Sequence, residues 1–270
     1  MQVALNTPAA NSGHPYYLPS ANEVDVFRAA YRQQLPLMLK GPTGCGKTRF
    51  VEHMAHALKV PLITIACHED ITAADLVGRY LLTGGETVWL DGPLTRAVRE
   101  GAICYLDEII EARADTTVVI HPLADHRREL HIERLGESLC APDAFMLVVS
   151  YNPGYQSVLK DLKQSTRQRM VAIEMNYPVA EKEIEIVMQE SGIDKPRATD
   201  LVKLANAIRK LDASSLPEVS STRTLVSAAR LMTEGLSPRA AANAAILLPL
   251  TDDREITRGL GEIIATYLRN

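Results

Sequence analysis

The stretch from residue 41 to 48 reads Gly-Pro-Thr-Gly-Cys-Gly-Lys-Thr and constrains the fold of this chain more than any other feature. It matches the pattern GxxxxGKT, and it lies between an apolar run at 35–39 and a helix-like stretch at 48–58, which is the strand–loop–helix context that the pattern requires. Glycines let successive backbone N–H groups turn toward an anion, and the start of the following helix adds its positive dipole end. The pattern therefore predicts a phosphate-binding loop formed by Gly41, Pro42, Thr43, Gly44, Cys45, Gly46, Lys47 and Thr48.

The loop predicts roles for two of its side chains and for two acids further along the chain. Lys47 is expected to reach the β- and γ-phosphates of ATP, and the Thr48 hydroxyl is expected to bind Mg²⁺. An apolar strand at 102–106 ends in Asp107 and Glu108. Ligands bind at the carboxyl ends of the strands in open α/β sheets, so Asp107 is predicted to face the loop and to hold Mg²⁺, directly or through water. Glu108 is predicted to orient and deprotonate the attacking water.

Four further polar residues follow weaker patterns. Asn152 comes after an apolar strand and before a Pro-Gly turn. This position fits two roles equally well: a simple turn residue, or a residue that hydrogen-bonds the attacking water or the γ-phosphate. Arg167 and Arg169 precede the last predicted strand, and fit either surface charges or groups that reach a nucleotide held by a neighbouring subunit. Arg223 begins a helix after Ser-Ser-Thr with its side chain free to face the nucleotide, although arginines at helix starts are commonly only exposed.

Periodicity divides the chain into three parts. Residues 1–20 are polar and rich in Pro, Asn and Ser, and predict an N-terminal arm. Residues 21–177 alternate strand and helix patterns, which predicts an α/β domain with parallel strands and right-handed crossovers. Residues 178–270 show helical periodicity throughout and predict an all-helical lid domain. The helices predicted in the lid are 181–191, 198–211, 222–234, 238–248 and 254–268.

An insertion follows a short predicted helix at 72–78. Two runs of strand-type residues flank Thr-Gly-Gly-Glu at 83–86 and predict a β-hairpin at 79–90. A single tryptophan belongs more often to a core than to a contact surface, but a projecting hairpin weakens that preference. Residues 124–143 are charged and loop-like, and form a second candidate surface for partners. The candidate partner contacts on the hairpin are Tyr80, Leu81, Leu82 and Trp89.

Composition excludes several classes of function. The chain is 46% apolar and 23% charged with a net charge of −4, and its charges form no basic stripe, so nucleic-acid binding is not expected. No apolar run approaches the roughly 18 residues of a membrane span, and the N-terminus lacks a signal pattern. We therefore expect a cytoplasmic protein without membrane insertion. The four cysteines are far apart, and His121, His126 and His131 lack metal-ligand spacing, which argues against zinc.

The order of these features resembles the AAA+ ATPases of the MoxR branch. The segments 37–50, 75–82, 105–108 and 150–156 resemble, more closely, the CbbQ/NirQ/NorQ group. The resemblance covers nearly the whole chain. It implies an α/β AAA+ P-loop NTPase fold with a parallel five-stranded core sheet and a C-terminal helical lid. It also implies an enzyme that hydrolyses ATP to ADP and phosphate.

The resemblance further implies an assembly. Such proteins form homo-hexamers with ATP between subunits, and an arginine finger acts on the neighbouring site; Arg167 and Arg169 both match that region. Asn152 matches the sensor-1 position, Arg223 matches the sensor-2 position, and the hairpin matches an insert that lies near the centre of the ring. Family members work with a partner that carries a von Willebrand factor A domain, here expected to be CbbO-like.

The resemblance favours the CbbQ members of the group, which are ATPase subunits of bacterial Rubisco activases. The client would then be inhibited Rubisco, from which the motor releases tight-binding sugar phosphates. The alternative client is nitric oxide reductase, which NorQ and NirQ members help to mature. Two alternatives from other classes are a nucleotide-dependent assembly scaffold without productive turnover and a metabolite kinase. Glu108 and the two arginines argue against the scaffold, and the helical C-terminal third argues against the kinase.

Overall fold

The computed structural model describes residues 15–153, 164–211 and 219–269. Five of its strands form one parallel sheet in the spatial order β2-β5-β8-β1-β9, and the other four form two separate hairpins. The parallel five-stranded core sheet that the family resemblance implies is thus confirmed. The strands are β1 (Leu37–Lys40), β2 (Leu62–Ala66), β3 (Gly78–Thr83), β4 (Glu86–Asp91), β5 (Ile103–Asp107), β6 (Glu129–Ile132), β7 (Glu137–Cys140), β8 (Met146–Tyr151) and β9 (Val171–Glu174).

The helices fall into an N-terminal set around the sheet and a C-terminal set that forms the lid. Helices α1 to α6 belong to the first set, and α7 to α12 belong to the second. They are α1 (Glu23–Arg32), α2 (Lys47–Leu58), α3 (Ala73–Val77), α4 (Pro93–Glu100), α5 (Ala114–Val119), α6 (Gln164–Arg167), α7 (Ala180–Ser191), α8 (Lys195–Arg209), α9 (Thr222–Thr233), α10 (Pro238–Ala242), α11 (Leu248–Leu250) and α12 (Arg254–Tyr267).

The central strands are apolar on both faces. Successive side chains of a strand point to opposite sides, so alternate residues of β5 and β8 enter two different clusters. Cys104 and Leu106 pack into one cluster, whereas Ile103 and Tyr105 pack into the other. The lid helices have a third cluster of their own, which includes Leu201 among its buried residues. Helices therefore cover the two faces of the sheet, and the carboxyl-terminal edge carries the polar residues.

The register of the sheet decides which polar residues meet. Leu39 of β1 pairs with Ser150 of β8, and Leu106 of β5 pairs with Val149. All of these strands run in the same direction, so the residues that follow β1, β5 and β8 lie at one edge. That edge carries the glycine-rich loop, Asp107 and Asn152.

The hairpin β3–β4 confirms the predicted insertion. Tyr80 pairs with Trp89, and their rings meet edge to face at 5.1 Å. Trp89 is half-buried against the core and covers Gly78, where an added Cβ would lie 2.5 Å from the indole Cζ2. Tyr80, Leu81 and Leu82 are 44%, 38% and 78% exposed. The three strand residues thus project from the hairpin, while the tryptophan anchors it.

The structure differs from the sequence prediction at 124–143. This stretch is not simply a charged loop, because it contains the hairpin β6–β7. Leu130 and Ile132 are buried while His131 between them is exposed, which is the alternation of a half-buried strand. The strands are only four residues long and are flanked by charges, so the alternation is too short to stand out in the sequence.

Three helices around the sheet, α4, α5 and α6, were not predicted from the sequence. The signals for α4 were present, because Gly92 is its N-cap, Pro93 its first residue and Gly101 its C-cap. The predicted lid helix at 238–248 is interrupted by a π-helical turn at Asn243–Leu247. In the described part of the chain, no helix combines the length and apolar character needed to cross a bilayer.

Candidate active site

The glycine-rich loop requires its glycines for two different reasons. Gly44 and Gly46 adopt φ values of +70° and +102°, in the left-handed region that glycine tolerates. At Gly41 the reason is space, because an added Cβ would lie 2.3 Å from the Met175 carbonyl oxygen. Cys45 packs inward, and burial raises the pKa of its thiol. The loop therefore curls tightly against β9 before α2 begins at Lys47.

Lys47 is buried and has three acceptors. Its Nζ donates to the carbonyl oxygens of Gly41 at 2.9 Å and Pro42 at 3.0 Å, and to Asn152 Oδ1 at 2.5 Å. Burial lowers the pKa of the ammonium, because the charged form loses solvation. The side chain is held at the loop, where an incoming phosphate oxygen can replace one of these acceptors.

Asp107 lies at the end of β5 and faces the loop, as predicted. Its Oδ2 accepts from Thr48 Oγ1 at 3.1 Å. Its Oδ1 accepts from the Tyr105 hydroxyl at 2.6 Å and from Ser150 Oγ at 2.5 Å. Neither Tyr105 nor Ser150 was predicted from the sequence, although each is a polar residue within an otherwise apolar strand. Three donors on two oxygens fix the orientation of the carboxylate.

Glu108 adopts φ +56° and ψ +49°, an uncommon conformation for a residue other than glycine. Its amide donates to Ser150 Oγ at 3.0 Å, which holds this conformation in place. Its exposed carboxylate accepts from Asn152 Nδ2 at 3.2 Å, and the same Nδ2 donates to Thr43 Oγ1 at 3.1 Å. Asn152 therefore connects the loop, Lys47 and Glu108. The structure brings together all the polar residues predicted at this edge.

Thr43, Lys47, Thr48, Asp107 and Glu108 line a cavity of about 580 Å³ between the sheet edge and the lid, whereas Asn152 is not among the described residues that line it. Part of the lining is polar and comes from the loop, Asp107 and Glu108. The lining also includes apolar side chains from the segment before α1, from the residue that follows β9 and from the lid. These are Tyr17, Leu18, Met175, Ile186 and Val226.

The lid supplies Arg223, which is exposed and also lines the cavity. Arg167 and Arg169 are not among the described residues that line it. Arg169 donates to the Ser165 carbonyl at 2.6 Å, and Arg167 is half-buried at the end of α6. Of the sequence-predicted arginines, the structure thus brings only Arg223 to the cavity of its own subunit.

The first described residues close one side of the cavity. Tyr17 packs on Phe50 with ring centroids 5.0 Å apart, and its hydroxyl donates to Glu23 at 2.8 Å. The Glu23 carboxylate also accepts from the amides of Ser20 and Ala21 at 2.6 and 2.7 Å. Part of the predicted N-terminal arm therefore belongs to the site; residues 1–14 lie outside the described residues.

Thr48 and Asp107 suit Mg²⁺, because both present oxygen donors and they lie within hydrogen-bond distance of each other. In the ranges that the structure describes, no group of three or more His, Cys, Asp or Glu residues could hold a metal ion alone. Mg²⁺ usually binds through one or two protein oxygens together with substrate phosphates. The donor set beside the loop fits that mode.

Comparison with known proteins agrees with this geometry. Residues 36–170 match the model of the AAA domain (dynein-related subfamily), and residues 183–267 match the CbbQ/NirQ/NorQ C-terminal model. The chain is 60% identical over 251 residues to the protein NorQ of Paracoccus denitrificans, covering 93% of each chain. It is 53% identical over 265 residues to the denitrification regulatory protein NirQ of Stutzerimonas stutzeri, covering 98% of this chain and 96% of the relative.

A third relative is named CbbQ rather than NorQ or NirQ. The protein CbbQ of Hydrogenophilus thermoluteolus is 55% identical over 246 residues, covering 91% of this chain and 92% of the relative. Among solved structures, a point mutant of RuvB from Thermotoga maritima superimposes with a TM-score of 0.55. The sequences are 14% identical, and the match covers 88% of this chain and 66% of that one, so this likeness shows the fold alone. The chain belongs to the CbbQ/NirQ/NorQ family of AAA+ ATPases.

Proposed function

We propose that this ATPase is a motor that remodels a client enzyme at the expense of ATP. The observation that carries the proposal is the single constellation at the sheet edge. Asn152 is hydrogen-bonded to both Lys47 and Glu108, and Asp107 and the lid residue Arg223 line the same cavity as those two residues. In the proposed site, the loop amides and Lys47 bind the phosphates, and Thr48 and Asp107 hold Mg²⁺. The metal, when bound, supplies neutralisation of phosphate charge.

Glu108 is proposed as the group that orients and deprotonates the attacking water. Its carboxylate is exposed to the cavity and receives one hydrogen bond from Asn152, so one oxygen stays available to a water molecule. Asn152 would hold that water or the γ-phosphate through its amide. Arg223, at the start of α9, would sense the same phosphate from the lid side.

The apolar side chains that line the cavity are proposed to contact the nucleotide base. Tyr17, Met175 and Val226 present apolar surface to the cavity, and a planar heterocycle gains from such burial. The base would then contact both the N-terminal segment and the lid. This arrangement lets nucleotide exchange depend on the position of the lid.

The arginine finger is proposed to come from a neighbouring subunit of a homo-hexamer. Arg167 and Arg169 do not line the cavity of their own subunit, and the family resemblance implies that one of them acts in trans. Such a finger contributes roughly 10³–10⁵ in rate. Mixing Glu108→Gln subunits with Arg167→Ala/Arg169→Ala subunits is therefore expected to restore ATP hydrolysis that neither has alone; mixtures as inactive as their components would count against a shared site.

Two clients follow from the family. The first is Rubisco inhibited by a tight-binding sugar phosphate, with a von Willebrand factor A domain partner of CbbO type; the 55% identity to the protein named CbbQ supports it. The second is nitric oxide reductase, whose maturation is the task of NorQ and NirQ members; the 60% identity to the protein named NorQ supports it at least as strongly. The projecting residues Tyr80, Leu81 and Leu82 are proposed contacts to partner or client.

One experiment separates these clients. Sugar-phosphate-inhibited Rubisco is incubated with ATP, this protein and its von Willebrand-domain partner, with Glu108→Gln as the control. Recovery of carboxylase activity with wild type alone supports the Rubisco proposal. ATP hydrolysis without recovery, together with nitric oxide reductase activity that depends on wild type and not on Glu108→Gln, supports the second client. Equal activation by Glu108→Gln would instead support a scaffold without turnover.

A further inference from the structure

A buried ion pair in the lid lies outside the residues assigned so far. Glu183 of α7 is fully buried, and the side chain of Arg209 of α8 is 12% exposed. The two groups meet as a parallel fork, with Arg209 Nη1 donating to Glu183 Oε2 and Nη2 donating to Oε1, both at 2.8 Å. Such a bidentate pair fixes the relative geometry of the elements that carry it.

Arg209 joins more than these two helices. Its Nε donates to the Ser220 carbonyl at 2.7 Å, and its guanidinium carbon lies 4.0 Å from the centre of the Tyr177 ring. Thr222, the first residue of α9, donates its hydroxyl to Glu183 Oε1 at 2.6 Å. The pair therefore connects α7, α8, the start of α9 and the segment that links β9 to the lid.

Two contacts continue from this cluster to the phosphate loop. The Tyr177 hydroxyl donates to the Thr43 carbonyl at 3.0 Å. Ser221 lies directly against Gly44, since a Cβ built on Gly44 would be 2.6 Å from both Cβ and Oγ of Ser221. Arg223 at the cavity follows Thr222 in the chain. The loop and the lid thus meet through Tyr177 on one side and through the start of α9 on the other.

The energetics point to positioning rather than simple stability. Removing two charges from water costs about as much as their attraction returns, so apolar residues could fill this space without loss of stability. An Arg–Glu fork that also contacts Ser220, Tyr177 and Thr222 instead imposes one orientation. We propose that Arg209 is a positioning residue that couples phosphate binding at the loop to the orientation of the lid, acting through Glu183 and Tyr177. This inference rests on the proposed nucleotide site.

Linkage supplies the test. If the lid orientation that Arg209 stabilises favours nucleotide binding, variants that no longer stabilise this orientation bind nucleotide more weakly. Coupling between two sites typically changes an affinity by about fivefold or more. Tyr177→Phe removes the hydroxyl that reaches Thr43 but keeps the ring beneath Arg209. Arg209→Lys keeps a positive charge but loses the fork and the stacking geometry. Each is expected to weaken binding of a fluorescent ADP analogue in the presence of Mg²⁺ by about fivefold or more.

The chain offers a matched control for each variant. Tyr31→Phe also removes a hydroxyl that donates to a backbone carbonyl, that of Ala144 at 3.2 Å, away from the loop. Arg239→Lys also replaces a lid arginine that donates to backbone carbonyls, those of Leu268 at 2.8 Å and Ala265 at 3.0 Å. Both controls are expected to lower the melting temperature at most and to leave the affinity for the analogue unchanged.

A double variant tests whether the two positions act together. In one network, the effect of Tyr177→Phe on affinity should largely disappear when Arg209 is already lysine, whereas independent sites would give multiplied effects. Affinities of Tyr177→Phe and Arg209→Lys within twofold of their controls would overturn the inference. If Arg209→Lys does not fold, the affinities of Tyr177→Phe and Tyr31→Phe for the ADP analogue still test the inference.

The outcome is independent of the client. A wild type that binds the analogue but activates neither proposed client would refute the proposed function and leave the coupling measurement intact. A wild type that activates a client while Tyr177→Phe and Arg209→Lys bind like their controls would refute only the coupling.

Discussion

Replacing Ser150 with alanine removes one hydroxyl that serves both acids of the site. Ser150 Oγ donates to Asp107 Oδ1 at 2.5 Å and accepts from the Glu108 amide at 3.0 Å. The side chain is fully buried, so no solvent water replaces it at the surface. Ser150→Ala therefore loosens the proposed magnesium ligand and the backbone of the proposed base in a single step.

The magnitude follows from the hydrogen bonds. A hydrogen bond to a charged group contributes about 1.5–3 kcal/mol, which corresponds to roughly 10–150-fold in an equilibrium constant. The Tyr105 hydroxyl still donates to the same Oδ1 at 2.6 Å, which keeps the carboxylate partly oriented. We therefore expect an effect at the low end of this range, about a tenfold rise in the Mg²⁺ concentration that gives half-maximal ATP hydrolysis. Removal of residues that hydrogen-bond to metal ligands typically lowers metal affinity by a similar factor.

The assay is phosphate release at saturating ATP across a titration of free Mg²⁺. Ser191→Ala is the matched control, because its hydroxyl donates to the Val187 carbonyl at 2.6 Å within the lid. Tyr105→Phe is expected to raise the half-maximal Mg²⁺ concentration as Ser150→Ala does. The double variant is expected to raise it by more than the product of the two single effects, because Asp107 Oδ1 then loses both of its donors. Superimposable Mg²⁺ titrations for Ser150→Ala and Ser191→Ala would refute the assignment of Asp107.

Three further predictions concern the base, the loop and the N-terminal segment. Glu108→Gln is expected to lower kcat by about 10²–10⁴-fold with ATP affinity unchanged, and an unchanged kcat in a phosphate-release assay would exclude Glu108 as the base. Gly44→Ala brings a Cβ to 2.6 Å from Ser221, whereas Gly136→Ala, at a similar φ, meets nothing within 4 Å. Only Gly44→Ala is expected to weaken ATP binding. Equal losses of ATP affinity in the two variants would instead assign the effect to backbone strain. Burial raises the pKa of Glu23, but hydrogen bonds to its carboxylate outweigh burial and hold the pKa below its ordinary value of 4.5. Its stabilising contribution is therefore complete above pH 4.5 and lost as the pH falls through the lowered pKa. Glu23→Gln should flatten that acid limb of the stability curve, and an unchanged curve would contradict the prediction.

Residues whose patterns are local were predictable from the sequence. The loop at 41–48 combines a fixed glycine spacing with a strand and a helix, so it indicates its conformation without knowledge of the rest of the chain. Asp107 was predictable because an apolar strand that ends in an acid places that acid at the ligand-binding edge of a parallel sheet. The helical periodicity of the lid likewise follows from the burial of one face of each helix.

Tyr105, Ser150, Tyr177 and Arg209 illustrate what local patterns miss. Tyr105 and Ser150 meet at Asp107 only because β5 and β8 are neighbours in the parallel sheet. Strand order is a long-range property, and two polar residues 45 positions apart carry no periodic signal of their contact. The hairpin β6–β7 was not predicted for the same reason, because its short strands are recognisable chiefly through their pairing.

The sequence by itself determined which chemical groups the candidate site contains, because the loop glycines, Lys47, Thr48 and the Asp107–Glu108 pair belong to patterns of local backbone geometry and side-chain type. The tertiary structure alone decided how the site is held and connected. The register of the sheet brings Ser150 and Asn152 to the acids, and the packing of the lid joins Arg209 to the loop through Tyr177. Such contacts depend on which distant segments become neighbours, and that is set by burial of the whole apolar surface rather than by any single stretch of chain.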